Sequence, residues 1–252
     1  MYHSITFGDK NTWDDWHIVP VSRPVFNPPA LKKKTVEIPG ADSFIDLTES
    51  LTRYPVFENR EGSFEFIVMN GYKPWYQAYS DIMNYLHGQG MRAVLEDDRE
   101  YFYEGRFTVN EWKSEEKYSK IVIDYSVEPY KRLIHTSLED WEWDPFNFET
   151  GVIPDNVFKA IPIKEEITEY VFTREQYGYM PVSPSFIVST TSGSGAFVRF
   201  INEKLGIDES KMLDEGKTQF LRWLFAGETT TVQFYCFYGT GTISIEFREG
   251  RL

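Results

Sequence analysis

The sequence contains one cysteine, Cys236, among its 252 residues. An intramolecular disulfide is therefore impossible, and no C-x-x-C or H-E-x-x-H pattern marks a metal site. The four histidines (His3, His17, His87 and His135) are too widely spaced to form a local metal-binding pair. Cys236 lies in the aromatic segment VQFYCFYG, which favours a small buried hydrophobe over a nucleophile. We therefore predict no metal, no cofactor and no enzymatic activity.

Positive charge and long apolar runs are also scarce. Residues 1–132 carry a net charge of −5 and residues 133–252 one of −8, which together give the −13 of the chain. A surface that grips a nucleic-acid backbone is therefore not expected. No segment approaches the roughly 20 apolar residues of a membrane span, and the first residues lack the apolar centre of a signal peptide. We expect no membrane partner.

Aromatic residues, by contrast, make up 17% of the chain, and many lie in segments with alternating apolar positions. This period of two predicts strands. The clearest segments are 63–70, 119–130, 196–201 and 242–247, with a further strand at 91–96. The chain is therefore expected to be mainly β.

One segment has helical periodicity. It runs from Pro74, which is expected at the first helical position, to Gly88 or Gly90, which is expected to end the helix in a left-handed cap. Its apolar stripe consists of Trp75, Tyr79, Ile82, Met83 and Leu86. Residues 208–216 predict a second short helix or a turn.

Several other patterns have ordinary explanations. The acidic clusters at 96–98, 139–140 and 165–166 indicate solvated turns, because neighbouring carboxylates on a strand point to opposite faces. The segment STTSGSG (189–195) lacks the order of a phosphate loop and predicts a hairpin tip. Lysines 32–34 predict a solvated strand edge.

A change in composition near Pro129 divides the chain into two expected domains, 1–132 and 133–252. The segment DWEWDPFNF just beyond it concentrates aromatic and acidic residues. Trp141 and Trp143 are explained either by packing in a core or interface, or by stacking against a host cell-wall saccharide.

The order of motifs in the first domain resembles the distal tail proteins (Dit) of long-tailed phages and prophages of Gram-positive bacteria. The matching features are Val36-x-Ile38-Pro39-Gly40, Asp46-Leu47-Thr48, Tyr54-Pro55, Arg60 and Phe64-x-Phe66. The end of the chain, GTGTISIEFREGRL, resembles the closing hairpin of that family. The resemblance covers nearly the whole chain.

The resemblance implies an N-terminal β-sandwich domain with a single helix and an extended hairpin arm. The C-terminal domain would be a galectin-like β-sandwich of the jelly-roll type. Six copies would form a ring at the virion tail tip after synthesis in the bacterial cytoplasm. Expected partners are the tail-tube protein, tail-fibre or tail-associated proteins, and receptor-binding or baseplate proteins. DNA would be only a passing cargo, and the family supplies no catalytic residues.

A head-to-tail ring needs two different complementary patches on each copy. We predict that the helix stripe (Trp75, Tyr79, Ile82, Met83 and Leu86) is one patch and the extended segment Val25–Ile38 the other. The net negative charge is explained either by a ring lumen that repels DNA phosphates or by ordinary solubility, and the sequence leaves both explanations open. The alternative function is saccharide binding through the C-terminal domain.

Overall fold

The computed structural model describes residues 3–69, 74–114, 119–139, 158–193 and 195–252. The chain divides into two compact units, residues 1–132 with Leu252 and residues 133–251. Both consist mainly of antiparallel strands, so the predicted mainly-β class is confirmed.

The first unit holds one large sheet and one α-helix. Its elements are β1 Ile5–Phe7, β2 Lys10–Asn11, β3 Ile18–Pro20, β4 Thr35–Glu37, β5 Phe44–Asp46, β6 Arg60–Val68, α1 Trp75–Leu86, β7 Gln89–Leu95, a 3₁₀ turn Glu96–Asp98, β8 Tyr101–Ser114 and β9 Ser119–Val127. The sheet order is β2-β1-β7-β8-β9-β6-β3, and β10 Lys131–Leu133 follows at the end of the unit.

The predicted alternation decides which face of this sheet is buried. Phe64, Phe66 and Val68 of β6 point into the core, and so do alternate residues of β9 from Ile121 to Val127. Helix α1 covers this core with Ile82 and Leu86, both fully buried. Complete burial of one such aliphatic side chain contributes about 1.5–3 kcal/mol.

The helix begins and ends close to the predicted residues. Pro74 is the N-cap rather than the first helical residue, which is Trp75. Gly88 has a φ of +73°, so the predicted left-handed end is confirmed there, whereas Gly90 belongs to β7.

The second unit is a sandwich of two four-stranded sheets. Its elements are β11 Ile161–Ile163, β12 Thr168–Thr173, α2 Arg174–Tyr177, β13 Ser185–Thr190, β14 Ala196–Asn202, β15 Ile207–Leu213, β16 Gly216–Gln219, β17 Thr229–Tyr235, β18 Gly241–Glu246 and β19 Gly250–Arg251. The sheet orders are β11-β18-β13-β16 and β12-β17-β14-β15. One hydrophobic core lies between the two sheets, with Trp223 and Phe200 stacked in it.

Three expectations for the second unit are corrected. Residues 208–216 form strand β15 and the link to β16, because β15 pairs along its whole length with β14. The segment after Thr190 is not a hairpin tip, since β13 and β14 belong to different sheets. Strand β18 pairs with β11 and β13 rather than closing a terminal hairpin.

The acidic residues 96–98 are also not merely a solvated turn. Each carboxylate contacts another part of the first unit. The contacts are Glu96 to the backbone and hydroxyl of Ser4, Asp97 to His3 and Arg23 at 2.8 Å each, and Asp98 to Lys131 at 2.6 Å. This acidic turn therefore ties the start of the chain to the sheet.

The acidic turn should make the stability of the first unit depend on pH. Partial burial raises the pKa of Asp97, but hydrogen bonds from His3 and Arg23 outweigh it, so this pKa lies below its usual value. Hydrogen bonds from the backbone N–H and the hydroxyl of Ser4 likewise lower the pKa of Glu96. Both carboxylates therefore stabilise the fold above about pH 4, and this contribution is lost as the pH falls through their lower folded pKa values.

We expect Asp97→Asn to lower stability at pH 7 by about 1 kcal/mol or less. The variant should also lose less stability than the wild type between about pH 5 and pH 2. Urea unfolding at several pH values measures both effects. Asp14→Asn, at an exposed position of the same unit, is the matched control and should change stability by less than about 0.5 kcal/mol. Parallel profiles for wild type and Asp97→Asn would contradict the prediction.

Candidate subunit interface

A two-stranded hairpin of the first unit, here called the arm (residues 31–57), is largely exposed. Strands β4 and β5 pair antiparallel through Val36 and Ile45, and Gly40 turns the chain between them with a φ of +83°. Every residue of both strands is exposed. None of these side chains therefore belongs to the core of its own chain.

The arm exposes seven large apolar side chains among charged and polar ones. The apolar side chains are Leu31, Val36, Ile38, Phe44, Ile45, Leu47 and Leu51, of which Leu51 is 96% exposed. A two-stranded hairpin is at best marginally stable alone in water, and exposed large apolar side chains favour burial against a second surface. The arm thus has the character of a contact surface for another molecule.

The base of the arm is firmly anchored. Phe26 is only 3% exposed, and its ring lies 4.0 Å from Tyr103 and 4.7 Å from Tyr125, centre to centre. The buried guanidinium of Arg60 donates to the carbonyl of Asn27 at 3.0 Å. Burial lowers the pKa of Arg60. This Phe26–Arg60 anchor fixes both chain segments that lead into the arm.

An aromatic patch lies at the start of helix α1. Trp75 is 48% exposed and stacks on Trp112 with ring centres 6.0 Å apart. Tyr79 contacts the same indole at 4.9 Å. Because a partly exposed aromatic cluster is typical of interface hot spots, Trp75, Tyr79 and Trp112 (the helix patch) form the second candidate contact surface.

No family model and no curated protein matches this chain. Among solved structures, the chain is similar to SPP1 Dit (gp 19.1), which is described as a paradigm of the hub adsorption apparatus in phages that infect Gram-positive bacteria. The match covers 100% of both chains with a TM-score of 0.60 and 11% sequence identity.

The chain has the Dit fold. At 11% identity the likeness establishes the fold and not the function. It agrees with the family resemblance of the sequence, which predicted β-sandwich units and a hairpin arm.

The residues of the predicted helix stripe differ in how deeply they are buried. Ile82 and Leu86 are buried in the core of their own unit, so the interface proposal below uses Trp75 and Tyr79 instead. Tyr79 and Met83 are half-buried against the same core. Of the five stripe residues, Trp75 alone is more than a third exposed, at 48%.

The predicted saccharide residues Trp141 and Trp143 lie outside the described residues. Cys236 is fully buried, as expected for a small hydrophobe. Within the described ranges no cluster of three or more metal-ligating side chains occurs, and no helix is long and apolar enough to cross a membrane. A shallow hollow beside Trp16 and Asp81 has room for roughly one water molecule.

Sequence reasoning missed the residues that make the arm distinctive. Phe44 and Leu51 resemble ordinary core residues in sequence. Their exposure follows because β4 and β5 pair only with each other. Phe26 did carry a signal, since it is the only aromatic residue in the proline-rich segment RPVFNPP. A lone ring there favours an anchored segment over a free linker.

Proposed function

We propose that this chain is a structural component of a phage or prophage tail tip, in which six copies close into a hub ring. The hub joins the tail tube to tail-fibre, receptor-binding or baseplate proteins and lets DNA pass. The observation that carries the proposal is the Dit fold along the whole chain, combined with an anchored arm that exposes its apolar side chains.

The arm and the helix patch suit a head-to-tail ring. A heterologous contact joins two different surfaces, so each copy keeps one of each kind free until the ring closes. The arm supplies exposed aliphatic side chains and Phe44, and the helix patch supplies an indole with an open face. The proposed contact places the arm of one copy on the helix patch of the next.

Phe44→Glu and Trp75→Glu should each abolish the ring. Each places a charge in one of the two proposed patches, where burial of an unpaired carboxylate is costly. Light scattering coupled to size exclusion should report about six copies for the wild type and one copy for either variant. Leu221→Glu, at an exposed position in the second unit, should keep the wild-type mass.

Mixing the two variants separates a head-to-tail contact from a symmetric one. The Phe44→Glu copy retains its helix patch and the Trp75→Glu copy retains its arm, so one intact contact remains and the mixture should form a dimer. A ring that persists in both variants, or a mixture that stays monomeric, would reject the proposed pairing. A wild type that is monomeric at every concentration would reject the hub itself.

A further inference from the structure

The outer face of the sheet β12-β17-β14-β15 combines an aromatic row with a polar row. Residues of β14 alternate strictly, with Val198 and Phe200 buried and Phe197 and Arg199 facing outward. Strand β17 alternates in the same way, with Phe234 buried. The register of the paired strands therefore places the two rows about 7 Å apart along the strand direction.

The aromatic row runs across neighbouring strands. Phe197 pairs with Tyr235 across β14 and β17, and their ring centres lie 4.7 Å apart. Phe237, two residues beyond Tyr235, extends the aromatic surface along the direction of β17; its ring lies 5.1 Å from that of Tyr235 and it is 47% exposed. On the other side, Met212 of β15 lies opposite Phe197 and is also exposed. These side chains form a continuous strip of ring and thioether surface.

The polar row consists of side chains that are already paired with one another. Arg199 donates two hydrogen bonds to Asp208, at 2.8 and 2.7 Å. Gln233, opposite Arg199, donates to Glu169 at 2.6 Å. The charges of Arg199 and Asp208 offset each other, and Glu169 leaves a net charge of about −1. The row still offers free lone pairs and N–H groups in fixed planar positions.

We propose that this face, the Phe197–Tyr235–Phe237 strip with its polar row, binds a neutral saccharide. A pyranose ring has a face of C–H groups that can lie on an aromatic ring, and a rim of hydroxyl groups that both donate and accept hydrogen bonds. The two rows present these complementary surfaces side by side. Because the nearby charges are internally paired and slightly negative, an anionic polymer is disfavoured.

This inference differs from the sequence prediction, which placed saccharide contact at Trp141 and Trp143. It does not depend on the hub proposal, since a monomeric chain would present the same face. A flat protein partner would bury Glu169 and Asp208 at a desolvation cost, whereas a hydroxylated ligand replaces the water around them.

Isothermal titration calorimetry on the full chain tests the proposal with three probes: cellotetraose, chitotetraose and glycerol-phosphate teichoic acid. We expect at least one neutral tetrasaccharide to bind with a Kd of about 1 mM or tighter, and more tightly than the teichoic acid. Phe237→Ala and Tyr235→Ala should each weaken binding about tenfold. Tyr179→Ala, which removes an exposed ring elsewhere in the same unit, should leave it unchanged.

Phe237 is exposed and lies just beyond the end of β17, so its variant should remain folded, which thermal unfolding verifies. Absence of binding to both neutral probes, preference for the teichoic acid, or equal losses in Tyr179→Ala would overturn the proposal. So would a smaller oligomer, or lost co-purification with a tail protein, in Phe237→Ala. Those two results would assign the face to a second copy or to a protein partner.

Discussion

Phe26→Ala is expected to destabilise the first unit by about 3–5 kcal/mol. The ring is almost completely buried between Phe64, Tyr103 and Tyr125, with centre distances of 5.0, 4.0 and 4.7 Å. Two of these contacts are edge-to-face, and such pairs contribute beyond the area they bury. The surrounding strands β6, β8 and β9 are long and pair with one another, so they cannot collapse fully into the cavity.

The same substitution should release the arm. Asn27, the next residue, receives one hydrogen bond from Arg60 on its carbonyl and donates from its backbone N–H to the Tyr125 hydroxyl at 2.9 Å. Both bonds depend on Phe26 holding this segment against β6 and β9. We therefore expect faster hydrogen exchange from residue 25 to residue 60, together with loss of the proposed ring.

Urea unfolding measures the stability change, and exchange mass spectrometry locates it. Val25→Ala is the matched control: Val25 is the preceding residue and is exposed, so its truncation should change stability by less than about 0.5 kcal/mol. A loss below about 1 kcal/mol for Phe26→Ala, or equal effects of the two substitutions, would show that the anchor does not hold the arm.

The sequence predicted those features of the fold that depend on periodicity. The strands around Phe64 and Ile123 alternate strictly because one face of the sheet is buried, and the helix from Trp75 has one apolar stripe because it lies on that sheet. The misassigned segment 208–216 contains most of the edge strand β15. Apart from Met212, the exposed residues of this strand are polar, so its pairing with β14 fixes its conformation.

The candidate surfaces were harder to predict for a physical reason. Exposure of Phe44 and burial of Ile82 depend on which strands and helices pack together, and hydrophobicity alone does not distinguish them. Phe197 and Tyr235 are 38 residues apart in sequence, and only the register of β14 with β17 makes them neighbours. The family resemblance supplied the hairpin arm, which periodicity did not indicate.

Asn202→Asp should be the most destabilising isosteric change in the second unit. Asn202 is fully buried, and its amide nitrogen donates to the carbonyls of Leu224 and Ala226, at 3.2 and 2.8 Å, and to the Thr230 hydroxyl. Its oxygen accepts from the backbone of Leu205 at 3.0 Å. A carboxylate has no hydrogen to give, so an anionic oxygen would face two carbonyl oxygens.

We expect Asn202→Asp to lower the free energy of unfolding by at least about 3 kcal/mol at pH 7, which is the effect of an uncompensated buried charge. The introduced carboxyl group should have a pKa in the folded state above its unfolded value, because burial and facing oxygens disfavour its charge. The folded state then binds the extra proton more readily, so the penalty is full above the folded pKa and shrinks as the pH falls toward about 4.

Asn59→Asp makes the same charge change at an exposed site and should cost less than about 0.5 kcal/mol at both pH values. Urea unfolding at pH 7 and pH 4.5 compares the stability losses of the two variants. A penalty for Asn202→Asp that does not change with pH would show that the side chain at 202 reaches water.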